Sequence, residues 1–331
     1  MIRVLYTSEA VDVMPRIAVV ALGGNAITRS GEAGTYAEQT ANAELMAQTV
    51  VRLHAAGWSV VVVHGNGPQV GNLAIQQEEA AHRVPELPLF WLNAMTEGHL
   101  GSLLALAMRR VGQLPVVPVV THTVVRADDP AFARPTKPIG PFLDEATARR
   151  QAAERGWFVG EDAGRGWRRL VASPEPQRIV ELPAIRLLAR QGCVVIAAGG
   201  GGVPVVEDGG GLRGIDAVVD KDLAAERLAT ELRADALVLV TAVPRVMLDY
   251  GRPDAREVAE MTVEEAQVHA DAGQFPEGSM GPKMRAAMRF VRATGGTAVI
   301  TDAEHAPYSL EPGGDGTRIV AGAGAALGAV S

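Results

Sequence analysis

The sequence predicts an α/β protein built on a largely parallel β-sheet, and three similar stretches of the chain carry this prediction. Each stretch is a run of apolar residues that ends abruptly in a glycine-containing loop. The runs are residues 17–22, 60–63 and 194–198, and the loops are Gly23-Gly24-Asn25, Gly65-Asn66-Gly67 and residues 199–202. Because the runs show no polar alternation, they indicate strands buried on both faces, as in a parallel sheet. Ligands of such sheets bind beyond the carboxyl ends of the strands, so the three loops predict one site for an anion.

The segments between the first strands predict crossover helices. Helical spacing of apolar residues predicts a helix over 36–56, and Pro68 marks the start of another that runs to Ala81. The next predicted elements are a helix over 92–110 and a strand over 114–120. This alternation of strands and helices is typical of a parallel sheet.

The composition changes over residues 124–176, which are dense in charge, proline and tryptophan and contain one short predicted helix over 145–155. We expect this lid segment to protrude from an N-terminal lobe of residues 15–215, with residues 216–331 forming a C-terminal lobe. Residues 1–14 show no clear period, and we expect a poorly ordered N-terminal extension there.

The α/β alternation resumes after the lid segment. The predicted elements are a helix over 184–191, a strand over 193–198, a hairpin over 203–215, a helix over 220–232, a strand over 236–241, helices that begin at Thr262 and Pro282, and strands over 297–301 and 316–321. The helix at Thr262 is predicted from a capping box that Thr262 forms with Glu265.

The bulk composition excludes several classes of protein. The chain has 331 residues, of which 47% are hydrophobic, so it can build two lobes or one large α/β domain. Its net charge of −7 argues against a general nucleic-acid binder. Its single cysteine, Cys193, cannot form an internal disulfide and fits a reducing compartment. No apolar segment approaches the ~20 residues of a membrane span and the N-terminus lacks a secretion signal, so we expect a cytoplasmic protein without a membrane partner.

The first two glycine loops each have a structural and a functional interpretation. The loop at 23–25 can form a cradle of N–H groups for an anion or simply a tight turn, and the residues themselves favour neither. The loop at 65–67 precedes a helix started by Pro68, which brings free N–H groups and the positive helix end to one point. Its continuation to Gly71 resembles a dinucleotide fingerprint with one residue too many, so a nicotinamide-dependent oxidoreductase stays a weak alternative.

Three of the 31 Lys and Arg residues are lysines, and they stand out in a chain that otherwise prefers arginine. Lys221 and Lys283 each lie in or beside the first turn of a predicted helix, where a cation opposes the helix dipole. Two such lysines indicate that a bound anion supplies the missing charge; the alternative is a pair of solvated surface lysines. Lys137, in the lid segment, offers a third compact and movable charge. Asp220 and Asp222 flank Lys221 and either cap the helix or hold the lysines in place.

Several familiar enzyme motifs are missing from the sequence. It has no Gly-x-x-x-x-Gly-Lys-Ser/Thr loop, no protein-kinase signature set and no Gly-x-Ser-x-Gly elbow. Its seven histidines show no metal-ligand spacing, and we expect His64 to be a structural polar residue. Backbone donors, lysines and aspartates remain. This inventory suits phosphoryl transfer, in which catalysis is mostly positioning and charge neutralisation.

On these residues, the chain resembles the carbamate kinases of the amino acid kinase superfamily. The matching stretches lie in order between residues 16 and 321. They are Ala21-Leu22-Gly23-Gly24-Asn25-Ala26, His64-Gly65-Asn66-Gly67-Pro68-Gln69-Val70-Gly71, Pro135-Thr136-Lys137-Pro138-Ile139-Gly140-Pro141, residues 161–168 and 199–204, Val219-Asp220-Lys221-Asp222-Leu223-Ala224, and Gly278-Ser279-Met280-Gly281-Pro282-Lys283. The stretches around Lys137 and at 161–168 are specific to this family, whereas the glycine loops are shared more widely.

The resemblance implies an open αβα sandwich with a small protruding lid, usually as a homodimer. Such enzymes convert ATP and carbamate reversibly into ADP and carbamoyl phosphate with Mg²⁺, usually toward ATP in the breakdown of arginine or other ureides. The N-terminal lobe would hold carbamate and carbamoyl phosphate, and the C-terminal lobe the nucleotide. No metal ligand from the protein is implied.

The resemblance also implies roles for individual residues. The residues implied in catalysis are Lys137, Lys221, Lys283, Asp220, Asn25 and Gly24. Those implied in binding carbamate or carbamoyl phosphate are Gly23, Gly24, Gly65, Asn66, Gly67, Gly200, Gly201 and Lys137. Those implied around the nucleotide are Lys221, Asp222, Thr241, Tyr250, Met280, Gly281 and Lys283.

Two positions depart from the family pattern, and three alternatives stay open. Ala242 follows Thr241 where aspartate is usual, and Glu97 stands where glutamine is usual. One alternative is another carboxylate kinase of the same superfamily, against which the stretch around Lys137 argues. The others are the oxidoreductase and a non-catalytic sensor that keeps the pocket.

Overall fold

The computed structural model describes residues 15–23, 27–29, 31–162, 166–276 and 279–322. The expectations for residues 1–14 and the roles assigned to Gly24 and Asn25 fall outside these ranges.

Eight strands of the described chain form one central sheet. In spatial order they are β15 (Glu260–Thr262), β17 (Thr317–Val320), β16 (Thr297–Asp302), β12 (Ala236–Thr241), β1 (Ile17–Leu22), β2 (Ser59–His64), β9 (Val194–Ile196) and β3 (Val116–Pro118). Neighbouring strands are parallel except β16 and β17, which are antiparallel. The predicted, largely parallel sheet is therefore confirmed, and it crosses the proposed boundary at residue 215 through the pairing of β1 with β12.

Helices cover both faces of this sheet. The helices of the described residues are α1 (Tyr36–Ala55), α2 (Gly67–Ala80), α3 (Leu89–Gly112), α4 (Glu145–Arg155), α5 (Leu182–Arg190), α6 (Lys221–Leu232), α7 (Val263–Asp271) and α8 (Met280–Thr294). Along β1, Val20 packs in one core with Met46 of α1 and Leu104 of α3. Val19, one residue earlier, packs in the other core with Leu228 of α6 and Phe290 of α8. Successive strand residues thus feed opposite cores, which makes the αβα sandwich.

Short polar signals set the helix starts. Thr35 and Glu38 form a capping box at the start of α1, and the box predicted for Thr262 and Glu265 is present at the start of α7. The helix predicted over 145–155 is α4, which Asp144 caps. The carboxylate of Asp220 caps α6 by accepting from the N–H groups of its first turn.

Several element boundaries differ from the prediction. Helix α3 begins at Leu89 and ends at Gly112, so it is longer than 92–110. The strand expected over 114–120 contracts to Val116–Pro118 in β3, because the prolines at 115 and 118 have no N–H to donate. Helix α8 begins at Met280, ahead of Pro282, which lies in the first turn, where an N–H group has no helical partner.

Smaller sheets surround the central one. They are the lid-segment sheet β5 (Lys137–Leu143), β7 (Trp167–Val171) and β6 (Phe158–Glu161), the sheet of β11 (Leu212–Gly214), β10 (Val203–Glu207), β4 (His122–Val124) and β8 (Arg178–Ile179), and the pair β13 (Val246–Leu248) and β14 (Arg256–Val258). Strands β10 and β11 form the predicted hairpin. The lid-segment sheet rests on α2, where Gly71 and Gly140 approach so closely that a Cβ atom at residue 71 would overlap the backbone of Gly140.

Candidate active site

A large cavity opens at the carboxyl ends of the central strands. Strands β1, β2, β9 and β12 are parallel neighbours, so the loops that follow them meet at one edge. The cavity there has a volume of about 1010 Å³. The predicted site residues that line it are Gly23, Gly65, Asn66, Gly67, Lys137, Gly200, Asp220, Lys221, Asp222, Thr241 and Lys283. The structure thus brings together residues from both halves of the chain and from the lid segment.

Four predicted site residues do not line this cavity. Tyr250 is 71% exposed in the turn after β13. Met280 and Gly281 lie in the first turn of α8, next to the lining residue Pro282. Gly201 is buried against the backbone of Val219. Their assigned roles stay predictions.

Five charged side chains form a cluster on the cavity wall. Asp222 accepts hydrogen bonds from two of the three lysines. Lys221 Nζ lies 2.8 Å from its Oδ1, and Lys283 Nζ lies 3.1 Å from its Oδ2. Asp220 accepts from Lys137 Nζ at 2.5 Å on Oδ2, while its Oδ1 caps α6. The side chains of Lys221 and Lys283 are only 12% and 13% exposed, so the alternative of solvated surface lysines is excluded.

The cluster shifts the pKa values of its members. Burial by itself would raise the pKa of Asp222, but the ammonium groups of Lys221 and Lys283 outweigh it and hold that pKa well below the usual range. Burial lowers the pKa of Lys221, with a contribution from the nearby Lys283, and Asp222 opposes it. For Lys283, Asp222 overcomes burial, and the pKa is raised. The aspartate charges therefore favour the charged form of both lysines, against the burial that disfavours it.

The glycine loop at 199–202 is shaped by its neighbours. Ala198 has a φ of 49°, and Gly200, Gly201 and Gly202 have φ values of 65°, 95° and 83°, so the chain is left-handed here. A Cβ atom would overlap His64 at residue 199, Asn66 at 200, Val219 at 201 and Thr123 at 202. The loop needs glycine at each position because other residues fill the space of a side chain.

His64 takes the structural role that was expected. It ends β2 and is buried, and its Nδ1 donates to the carbonyl of Gly65 at 3.0 Å. Burial lowers its pKa to about 4, so the ring is neutral at pH 7. Its Nε2 lies against Gly199 and has no hydrogen-bond partner in the described part of the chain.

A buried polar face of α3 lies beneath the loops, and of its residues only Glu97 had been noted from the sequence, as a departure from the family pattern. Asn93 and Thr96 accept hydrogen bonds from the Asn66 amide, and Glu97 accepts from the N–H of Thr121 at 2.9 Å. Burial raises the pKa of Glu97 well above its usual value, which disfavours its charged form. The charge that the residue type suggests is therefore opposed by its surroundings.

Other polar lining residues were not assigned to the site from the sequence. They are Arg29, Thr136, Asp162, Arg168, Ser173, Glu175, Ser279, Arg285, Asp302 and Glu304. Asp302 ends β16 at the same sheet edge as the glycine loops, so the rule that ligands bind beyond the carboxyl ends of parallel strands could have identified it. Arg168 pairs with Asp162 at 3.0 Å and donates to the carbonyl of Gly140, which braces the lid segment.

The described residues fit a metal ion that arrives with its ligand. They contain no group of three or more His, Cys, Asp or Glu residues that could hold a metal ion. Mg²⁺ usually binds through substrate phosphates, water and one or two carboxylates. Asp220 and Asp222 are the acidic groups of the lysine cluster, and their oxygens already accept from the lysines or cap α6. Across the same residues, no helix has the length and apolar character of a membrane span.

Comparison with known proteins identifies the family. The amino acid kinase family profile matches residues 16–302. Carbamate kinase from Thermococcus kodakarensis is 46% identical over 310 residues, which cover 91% of this chain and 98% of that protein. The structure of Giardia lamblia carbamate kinase bound to citric acid matches with a TM-score of 0.88 and 40% identity, covering 93% and 99% of the two chains. The same enzyme bound to AMP-PNP matches with a TM-score of 0.84 and 41% identity, with the same coverage. This chain therefore belongs to the amino acid kinase family, within its carbamate kinases.

Proposed function

We propose that this protein catalyses the reversible transfer of a phosphoryl group between ATP and carbamate, giving ADP and carbamoyl phosphate. The observation that carries the proposal is the cluster of three lysines and two aspartates on one cavity wall. Relatives of this chain at 44% and 46% identity are carbamate kinases. The reaction needs no nucleophile from the protein, which fits a cavity wall of backbone donors and lysines.

The carbamate oxygen attacks the γ-phosphorus, and the bond between that phosphorus and the β,γ-bridging oxygen of ATP breaks. Carbamate is already an anion, so no general base has to remove a proton. In this proposal, Lys221 and Lys283 neutralise charge on the transferring phosphoryl group and the nucleotide phosphates. Mg²⁺, bound with the nucleotide, would neutralise further phosphate charge.

Other residues take supporting roles in the proposal. The loops at 23–25 and 65–67 supply backbone N–H groups, the first to the transferring phosphoryl group and the second to carbamate. Lys137 approaches the carbamoyl phosphate from the lid segment, and Asp220 and Asp222 hold the three lysines. Thr241, Met280, Gly281 and Tyr250 belong to the nucleotide side of the proposal, and residues 216–331 to the lobe that holds the nucleotide.

The proposal extends to the setting of the enzyme. We place it in the cytoplasm as a homodimer that runs toward ATP in the breakdown of arginine or other ureides. Another carboxylate kinase of the same superfamily is the second candidate, and the stretch around Lys137 favours carbamate over it.

The direct test is the formation of ATP from ADP, Mg²⁺ and carbamoyl phosphate. We expect ATP to accumulate in proportion to enzyme, and a Lys221→Ala preparation purified in the same way controls for contaminating kinases. Well-folded protein that forms no ATP from carbamoyl phosphate, yet phosphorylates an amino-acid carboxylate with ATP, would replace the proposal with the second candidate.

A further inference from the structure

The side-chain amide of Asn66 is held in one orientation beneath the cavity. Asn66 lies between β2 and α2 and is only 2% exposed, but it lines the cavity. Its Nδ2 donates to Asn93 Oδ1 at 3.1 Å and to Thr96 Oγ1 at 2.9 Å. Both amide hydrogens of Asn66 are thus used by α3.

Two backbone carbonyls fix the direction of these bonds. The carbonyl of Ala217 can only accept, so the group that Asn93 directs toward it at 2.9 Å is its NH₂ group. The oxygen of the Asn93 side chain must then face Asn66. Likewise, Thr96 Oγ1 donates to the carbonyl of Asn93 at 2.7 Å, so it can only accept from Asn66. A flipped Asn66 would face two acceptors with its own oxygen and would lose both hydrogen bonds.

Asn66 therefore offers its oxygen to the cavity. Within the described ranges, Oδ1 has no hydrogen-bond donor from the protein, and Asn66 lines the cavity. The backbone of Gly200 lies against the same amide and leaves no room for a side chain at residue 200. The site thus contains one neutral, oriented acceptor among lysines and backbone donors.

We propose that Asn66 Oδ1 accepts a hydrogen bond from the amino group of carbamate and of carbamoyl phosphate, with Asn93 and Thr96 as positioning residues. The inference rests on the proposed function and names the contact that would select its substrate. Cations and N–H groups recognise the substrate oxygens, which any carboxylate shares. An acceptor recognises the N–H₂ group, which acetate and acetyl phosphate replace with a methyl group. A neutral amide oxygen does so without a second negative charge beside the substrate anion.

The test compares carbamoyl phosphate with acetyl phosphate as phosphoryl donors to ADP. The readout is the ratio of the two kcat/KM values, with the inhibition constant of acetyl phosphate used instead if it is not turned over. We expect Asn66→Ala to lower the preference for carbamoyl phosphate at least tenfold. Carbamoyl phosphate would lose the hydrogen bond from its NH₂ group, whereas the methyl group of acetyl phosphate forms no such bond in the wild-type protein. Thr96→Val removes one of the acceptors that orient Asn66 and should lower the preference for carbamoyl phosphate about threefold or more.

Thr96→Ser keeps the hydroxyl and is the matched control, which should restore the wild-type ratio. If Asn66→Ala does not fold, the Thr96 pair decides the question. Equal losses with both donors, leaving the ratio within about twofold of wild type, would overturn the inference. Failure of the proposed function has a different signature, since folded wild-type protein would then form no ATP from carbamoyl phosphate.

Discussion

Lys137 Nζ lies 2.5 Å from Asp220 Oδ2, although the two residues are 83 positions apart in the chain. Lys137 begins β5 of the lid segment, and Asp220 caps α6. The same carboxylate thus joins the lid segment to the helix that carries Lys221. A ligand that binds between them meets a lysine already directed into the cavity.

Removing this lid charge should weaken one ligand more than the other. In Lys137→Ala, we expect the KM for carbamoyl phosphate to rise at least tenfold, because a phosphate-binding cation is lost. The affinity for ADP should change less than about threefold, since Lys221 and Lys283 stay in place. Steady-state kinetics and ADP titration measure the two effects. Arg149→Ala, which removes an exposed lid-segment cation, is the matched control, and an equal loss for both ligands would contradict the assigned position of Lys137.

Loss of either lysine bound to Asp222 should slow the chemical step. We expect Lys221→Ala and Lys283→Ala each to lower kcat about a hundredfold or more, as removal of an oriented group that stabilises the transition state does elsewhere. Circular dichroism and thermal unfolding would show whether each variant folds. A folded variant with near-normal kcat would show that its lysine pairs with Asp222 but does not act in the chemical step.

The raised pKa of Glu97 predicts a pH-dependent stability. Burial raises its folded pKa well above the 4.5 of the free side chain, so between the two values the folded state binds more protons than the unfolded state. The free energy of unfolding therefore falls as pH rises above about 4.5, by up to ~1.4 kcal/mol per pH unit from this group. Glu97→Gln should remove this loss, so its advantage over wild type in the free energy of unfolding should grow as pH rises above about 4.5.

Urea unfolding at several pH values measures this difference. Glu79→Gln, at an exposed position in α2, serves as the control and should track wild type. If the free energy of unfolding changes with pH in the same way for Glu97→Gln and wild type, Glu97 is ionised in the folded protein.

The close approach of Gly71 and Gly140 predicts a steric effect on the lid segment. In Gly71→Ala, the new Cβ overlaps backbone atoms of Gly140, which cannot rotate away as a flexible side chain can. We expect a loss of about 1–3 kcal/mol in the free energy of unfolding and a higher KM for carbamoyl phosphate. Gly98→Ala in α3 meets no atom within 4 Å and should instead be neutral or gain up to about 1 kcal/mol. If Gly71→Ala and Gly98→Ala change the free energy of unfolding equally, the contact between Gly71 and Gly140 is not rigid.

The apolar runs and their glycine ends predicted the central sheet because burial on both faces leaves a direct pattern in the sequence. The run at 17–22 became β1, and the capping box at Thr262 gave the start of α7. Strand β3 was overestimated because apolar character alone does not show where proline removes the N–H groups that a ladder needs.

Only some of the site residues were predicted from the sequence. Lys137, Lys221 and Lys283 could be found because lysine is rare in this chain, and all three line the cavity. Glu97 stood out only as a departure from the family pattern, and Asn93 and Thr96 were not identified, because a polar stripe on a helix is usually its solvent face. Only the three-dimensional placement of α3 beneath the glycine loops shows that these groups are buried and bonded to the site.

The glycine loop at 199–202 also limits how this site can evolve. At each of its four glycines, the space that a side chain would need is filled by another residue. Those four neighbours come from separate parts of the fold. A mutation at any one glycine would need a simultaneous change at its neighbour, such as Asn66 for Gly200. A change of substrate preference through this loop therefore needs at least two coupled mutations.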